Sequence, residues 1–194
     1  MKAGVLALQG AFREHREVLT ALGVDAVEVR TPSDLDVVDA LFLPGGESTT
    51  MSHLLDTSDL RAPLTARLHD GLPAFATCAG LILLAHEVLD GRADQEPLGL
   101  IDAVVRRNAY GTQLQSFEAP LDVAGLPGGP FPGVFIRAPV IEAVGARVEV
   151  LARHDDHVVL LRDGAIWAST FHPELSGDLR LHQRFLSTAC STGR

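Results

Sequence analysis

Three side chains of this sequence have the types and spacing for nucleophilic acyl transfer: the thiol of Cys78, the imidazole of His172 and the carboxylate of Glu174. Cys78 lies in Phe75-Ala76-Thr77-Cys78-Ala79-Gly80, where a short apolar strand turns abruptly into an apolar helix expected over 79–89. A thiol at such a turn stands out of the sheet beside the positive end of a helix, where a thiolate is favoured and backbone N–H groups lie close. The plainer reading of a lone cysteine, a buried structural thiol, is compatible with the same local pattern. Pro173 disfavours helical backbone at His172, and in extended chain the side chains of His172 and Glu174 point the same way. A carboxylate bonded to one imidazole nitrogen would fix the tautomer and leave the other nitrogen to take a thiol proton. Without a cysteine in view, a capping Glu and a surface His would serve as well.

Other polar loops follow strands at the same expected edge. Gln9-Gly10 follows the first strand and Pro44-Gly45-Gly46-Glu47-Ser48-Thr49-Thr50 follows the run ending at Leu43. The glycine pair is no phosphate loop, because the Gly-x-x-x-x-Gly-Lys-Ser/Thr spacing is absent and Glu47 would repel phosphate. Adjacent glycines do let backbone N–H groups approach a substrate, and one from this loop could join the N–H of Ala79 in an oxyanion hole, such a donor contributing about 3 kcal/mol. A plain turn capped by Ser48 into a helix over 49–55 fits the same residues. Among the eight histidines, the densest group, His154-Asp155-Asp156-His157, reads as a polar turn between two strands rather than a metal site.

The elements that must position these groups alternate strand and helix in the first half: strand 3–8, helix 12–22 ended by Gly23, and strands 26–29, 40–43 and 73–77. Runs such as Ala40-Leu41-Phe42-Leu43 lack polar alternation, as expected of parallel strands covered on both faces. The fold class is therefore α/β, a three-layer open, mostly parallel sheet, with ligands expected outside the carboxyl ends of the strands. Short strands at 116–120, 133–137, 147–151, 158–161 and 165–168 read as antiparallel additions, Asp163-Gly164 as a hairpin turn, and 126–133 as a turn-rich loop too short for an interdomain linker.

At 194 residues, 46% of them hydrophobic and 21% charged, the chain suits one domain over 1–194. A net charge of −9 with only 16 Lys and Arg argues against nucleic acid or an anionic membrane as partner. No apolar run suits a signal peptide or a membrane span, so a cytoplasmic location is expected. Two distant cysteines make no disulfide framework; both are expected to be reduced, with Cys190 on the inner face of a last helix.

Leu6-Ala7-Leu8-Gln9-Gly10-Ala11, the Gly-Glu-Ser-Thr-Thr of 46–50, Ala76-Thr77-Cys78-Ala79-Gly80-Leu81, Arg107-Asn108-Ala109-Tyr110-Gly111, Gln115-Ser116-Phe117-Glu118, Phe135-Ile136-Arg137-Ala138-Pro139 and His172-Pro173-Glu174 span nearly the whole chain. Together they resemble class I glutamine amidotransferases and, within them, the glutaminase subunits of two-component pyridoxal 5′-phosphate synthases, the PdxT/SNO family. The cysteine elbow and His-x-Glu mark only the superfamily, whereas Gly-Glu-Ser-Thr-Thr, Arg-Asn-Ala-Tyr-Gly and Phe-Ile-Arg-Ala-Pro mark the subfamily. The resemblance implies that Cys78 attacks the side-chain amide of L-glutamine, that His172 is base and then acid to the leaving ammonia, and that Glu174 orients His172. It implies that Gly46, Glu47 and Ser48 line the glutamine site, that Arg107 holds the α-carboxylate, with Arg106 as a neighbouring rival, and that Ile136 and Arg137 complete the pocket. Gly46 and Ala79 would form the oxyanion hole, with Gln9 joining once a partner binds. Ala76 departs from the glycine many amidotransferases carry at the elbow; the turn should survive with slightly tighter packing.

The same resemblance implies no cofactor and no metal for this chain. It implies a large hetero-oligomer with a synthase subunit of the PdxS/SNZ type, which would receive ammonia through a protected tunnel and carry the sugar-phosphate chemistry. Two alternatives use the same residues: a glutaminase or γ-glutamyl hydrolase of another pathway, and a non-catalytic glutamine-binding regulatory subunit.

Overall fold

A computed structural model of the chain describes residues 1–91, 96–107 and 116–192. The expected Asn108-Ala109-Tyr110-Gly111 segment and Gln115 lie outside the described residues. Five strands form the parallel part of the main sheet, in the order β2 (Asp25–Val29), β1 (Lys2–Leu6), β3 (Ala40–Leu43), β4 (Ala74–Thr77) and β12 (Ile166–Ser169). Side chains of β3 alternate between two apolar clusters, Leu41 and Leu43 in one, Ala40 and Phe42 in the other, so the clusters occupy opposite faces. That two-sided burial is why β3 is apolar at every position. β1 pairs with β2 on one side and β3 on the other, so the chain reverses its winding there, and a crevice opens beyond the carboxyl ends of β1 and β3.

Beyond β12 the sheet turns antiparallel, as the sequence leads one to expect. β11 (His157–Asp163) forms a hairpin with β12 about Asp163 and Gly164, pairs with β10 (Glu149–His154), and continues through β9 (Val140–Val144) to β6 (Ile101–Arg106). His154-Asp155-Asp156-His157 is the β10–β11 turn, with Asp155 at φ 50°. A separate two-stranded ribbon joins β7 (Ser116–Leu121) to β8 (Phe131–Ile136). The turn-rich connection between them is pinned by Arg180, whose guanidinium donates to the carbonyls of Pro127, Gly129 and Pro130.

The helices are α1 (Phe12–Ala21), α2 (Pro32–Asp36), α3 (Ser48–Thr57), α4 (Arg61–His69), α5 (Ala79–Leu84) and α6 (Arg180–Thr192). Three expectations need correction. The helix after Cys78 stops at Leu84, not Leu89, and Ala85–Leu89 is a strand, β5, parallel to β6. The N–H groups of Leu98, Gly99 and Leu100 bond the carbonyls of Leu83, Ala85 and Leu84, satisfying the end of α5 from outside and drawing the chain into the sheet. Helix α3 is capped by Glu47 rather than Ser48: its carboxylate accepts from the N–H groups of Thr49 and Thr50, at 3.2 and 2.7 Å. Cys190 lies on the exposed side of α6, whose buried face is Leu181, Phe185, Leu186 and Ala189; both thiols are free. No helix among the described residues is long and apolar enough to cross a membrane.

Candidate active site

β4 is fully buried, and Ala76 sits in it without disturbing the turn that follows. At its end Cys78 is forced to φ 48°, ψ −102°, a region that L residues avoid at a cost of order 1–3 kcal/mol. The backbone holds it there: the Cys78 N–H donates to the carbonyl of Ser169 at the end of β12, at 2.8 Å. Gly80, the second residue of α5, permits the helix to leave so sharply, since a Cβ there would lie 2.4 Å from the carbonyl oxygen of Leu43.

β12 delivers the other two groups. Its chain runs through Ser169 and Thr170 to His172, whose N–H donates to Val134 O at 2.8 Å, and Pro173–Leu175 then forms a single 3₁₀ turn. The extended geometry expected at 172–174 is thus replaced by a tight turn, yet the pair still meets: His172 Nδ1 and Glu174 Oε1 are 2.7 Å apart, both side chains buried. A carboxylate only accepts, so Nδ1 carries the proton and Nε2 is left for the thiol. Burial works against a charge on His172, but its hydrogen bonds to Cys78 and Glu174, and the charges of both, carry its pKa up to about 10. Burial likewise opposes ionisation of Glu174; the imidazole of His15 beside it and the hydrogen bond and charge of His172 outweigh that and hold the carboxyl below its usual range.

A cavity of about 430 Å³ opens over Cys78 and His172. It is lined by all six residues expected to bind the substrate, Gly46, Glu47, Ser48, Arg107, Ile136 and Arg137, with Gly10 of the expected first loop, and by Glu14, Ile82 and Leu175, which the sequence did not single out. Arg107 donates to Glu47 Oε1 and to Thr49 Oγ1, both at 3.2 Å, whereas Arg106 is turned away to Glu142 and Asp90, which separates the two rival arginines. Burial tends to raise the pKa of Glu47, but hydrogen bonds from Thr50 and Thr49 prevail and lower it, so the cavity carries a carboxylate and a guanidinium side by side. Arg137 stands at φ 44° at the end of β8, a strained position that aims it at the cavity rim.

The first and third loops are strapped together. Ala11 N–H donates to Gly45 O at 3.0 Å, and Gln9 Oε1 accepts from the N–H of Glu47 at 3.0 Å. Gly45 proves as important as Gly46: a Cβ on it would fall 2.3 Å from His172 Cε1 and 3.2 Å from Cys78 Cβ. Ala79 begins α5 directly after the thiol, where first-turn N–H groups lack helical partners.

Two buried histidines behind Glu174 were missed. His15 of α1 and His182 of α6 are wholly buried and joined at 3.1 Å, Nδ1 to Nε2. Their sequence signal, a lone His on the apolar face of a helix beside Val18 and Leu19 or Phe185 and Leu186, is that of any satisfied core histidine. Among the described residues no group of three or more His, Cys, Asp or Glu could hold a metal ion.

This sheet, with a thiol elbow between its central strands, is the architecture of glutamine amidotransferases. A crystal structure of a glutamine amidotransferase, 50% identical, superposes with a TM-score of 0.91 over 97% of this chain and 98% of that one. A putative GMP synthase component from Thermoplasma acidophilum, 20% identical, shares the fold, with a TM-score of 0.72 over 99% and 95% of the two chains. The chain belongs to the SNO glutamine amidotransferase family, whose family model matches residues 5–191. Among its relatives, the pyridoxal 5′-phosphate synthase subunit PdxT of Salinispora arenicola is 54% identical over 94% of this chain and 93% of its own length. The protein of the same name from Mycobacterium tuberculosis is 53% identical over 98% and 97%.

Proposed function

We propose that residues 1–194 act as one glutaminase domain that hydrolyses L-glutamine to L-glutamate and ammonia, and that the ammonia serves pyridoxal 5′-phosphate synthesis. The observation that carries this reading is the meeting of four chain segments at one point: Cys78 strained at its elbow, and His172 bound at 2.7 Å to Glu174, under a cavity lined by Glu47 and Arg107.

The chemistry follows from that geometry. Cys78 gives its thiol proton to His172 Nε2 and its sulfur attacks the amide carbon of glutamine; as the tetrahedral adduct collapses, the C–N bond breaks and that proton passes from Nε2 to the departing nitrogen, leaving a thioester on Cys78 and free ammonia. Water then attacks the thioester carbon, giving its proton to His172, and glutamate leaves as the sulfur is released. The oxyanion formed in both halves is met by the N–H of Ala79 and by the loop at Gly46. In the α-amino acid pocket Arg107 suits the carboxylate through paired hydrogen bonds, and Glu47, Ser48, Ile136 and Arg137 complete the walls.

The strap formed by Gln9 bears on regulation. Its side chain holds the N–H of Glu47, next to Gly46, so the oxyanion loop is tied to the first strand's end. We infer that binding of a synthase subunit of the PdxS/SNZ type, in a large cytoplasmic hetero-oligomer, shifts Gln9 and completes the hole. The relatives named as subunits of pyridoxal 5′-phosphate synthase support this partner. The test is glutamate release from L-glutamine by the chain with and without such a subunit, beside Cys78→Ala. Release that rises with the partner and vanishes in the variant is expected; equal release in Cys78→Ala would refute the nucleophile, and indifference to the partner would refute the coupling.

A further inference from the structure

Behind Glu174 a second polar chain runs into the core. Glu174 Oε1 accepts from His172 Nδ1–H, but Oε2 is buried and among the described residues makes no hydrogen bond of its own; the group that faces it is His15 Nε2, at 3.5 Å. The same nitrogen lies 3.3 Å from Thr77 Oγ1, one residue before the nucleophile, and His15 Nδ1 lies 3.1 Å from His182 Nε2. His15 and His182 are each 0% exposed, and among the described residues His182 Nδ1 has no partner.

The directions of these contacts can be assigned. If His15 carried its proton on Nδ1, the bare Nε2 would turn a lone pair toward an acceptor-only carboxylate. His182 would then have to accept through Nε2 and would bury an unbonded Nδ1–H. If instead His182 donates from Nε2, its orphaned Nδ1 is a lone pair only, His15 Nδ1 accepts, and His15 Nε2–H is turned to Thr77 Oγ1 at 3.3 Å and Glu174 Oε2 at 3.5 Å. The second arrangement avoids both a repulsive contact and a buried orphan donor, each costly in a dry interior.

We propose that His15 is a positioning residue of the active site: as the neutral Nε2–H tautomer, fixed by His182, it anchors the second oxygen of Glu174 so that the carboxylate faces His172. The proposal rests on the Cys78–His172–Glu174 reading above. Both oxygens of Glu174 are then held, one by the catalytic imidazole and one from behind. Burial holds His15 and His182 below their ordinary pKa, so the pair remains neutral while His172 is charged. The titratable groups facing this cluster are Glu14 beside His15 on α1, His172 and Glu174 after β12, and His182 on α6, with Cys78 beyond His172.

The experiment is glutaminase kinetics of His15→Phe, His15→Gln, Glu174→Gln and the double variant, in the complex with the synthase subunit. His15→Phe keeps the ring and loses both nitrogens; kcat is expected to fall about 10- to 100-fold, the range of partners behind an orienting group, with KM little changed. The alkaline limb of its kcat/KM profile should move to lower pH, because a loosened carboxylate supports less charge on His172. His15→Gln, whose amide N–H reaches where Nε2–H stood, should recover much of the loss, and His15→Phe should add little to Glu174→Gln. Ring-nitrogen NMR of the unaltered protein should show His15 protonated on Nε2 alone at neutral pH, a readout that stands even if His15→Phe does not fold. A wild-type rate and profile in His15→Phe, full additivity with Glu174→Gln, or a bare Nε2 in the spectra would overturn the proposal. Loss of the catalytic reading itself would look different: Cys78→Ala would keep releasing glutamate.

Discussion

Gly45 shows how little room the reacting groups have. A single methyl there would overlap His172 Cε1 and crowd Cys78 Cβ, with the Gly45 carbonyl already held by Ala11. Because the imidazole is locked on its other side by Glu174, the methyl must push His172 away from the thiol. Misplacement by about 1 Å typically costs about 100-fold in rate. Gly45→Ala should therefore still fold, at a cost of about 1–3 kcal/mol, while kcat drops by that order, measured as glutamate release in the presence of the synthase subunit; an active Gly45→Ala would mean the loop yields more easily than the imidazole. His172 yields a second expectation. Its pKa is raised, so the proton needed by departing ammonia is present below about 10 and lost as pH rises through that value. The kcat/KM profile should fall in that alkaline range, and Glu174→Gln, which removes the charge supporting the imidazolium, should draw the fall to lower pH; an unmoved limb would assign it to another group.

At the scale of elements, the turn from β4 into α5 depends on a close approach. Gly80 lets α5 pack against the end of β3, and a Cβ would meet Leu43 O at 2.4 Å. Relief requires backbone movement, so Gly80→Ala should destabilise by about 1–3 kcal/mol, the cost of overpacking a filled site, read as a lowered urea midpoint at constant slope. An unchanged midpoint would show that α5 can slide. The parallel strands were legible because two-sided burial leaves apolar runs such as Ala40-Leu41-Phe42-Leu43 without polar alternation. The end of α5 was not: Leu81-Ile82-Leu83-Leu84-Ala85 has no period to separate helix from strand, and the decision is made by N–H groups of residues 98–100. The 3₁₀ turn at Pro173–Leu175 escaped for a similar reason, since Pro173 constrains His172 before it but leaves the residues after it free to turn. Cys78 and Glu174 could be read from their local strings; His15 and His182, 167 residues apart, meet only when α1 and α6 pack on the same face of the sheet.

At the scale of the molecule, that packing buries a titratable pair in the apolar cluster on one face. His182 stacks on Phe42 with centroids 5.4 Å apart and lies 5.9 Å from the ring of Phe75, and burial, with the neighbouring His15, presses its pKa down to about 3. The unfolded chain, with an ordinary histidine at about 6.5, binds a proton over the whole interval between those values, while the folded chain does not. Stability from this group is therefore fully present above about pH 6.5 and is lost as pH falls toward the folded value. By pH 4 the loss amounts to about 3 kcal/mol for His182 alone, at 1.36 kcal/mol per unit. The drop in Glu174 pKa acts in the same sense, because its charge also favours the fold only while it is ionised. The melting temperature should fall steadily between pH 6.5 and pH 4, and His182→Phe, which puts another ring among Phe42, Phe75 and Phe185, should flatten that fall by about one proton's worth. Parallel curves for the two proteins would mean that His182 does not stay neutral and buried through the acid range, and that the core opens around it before the fold is lost.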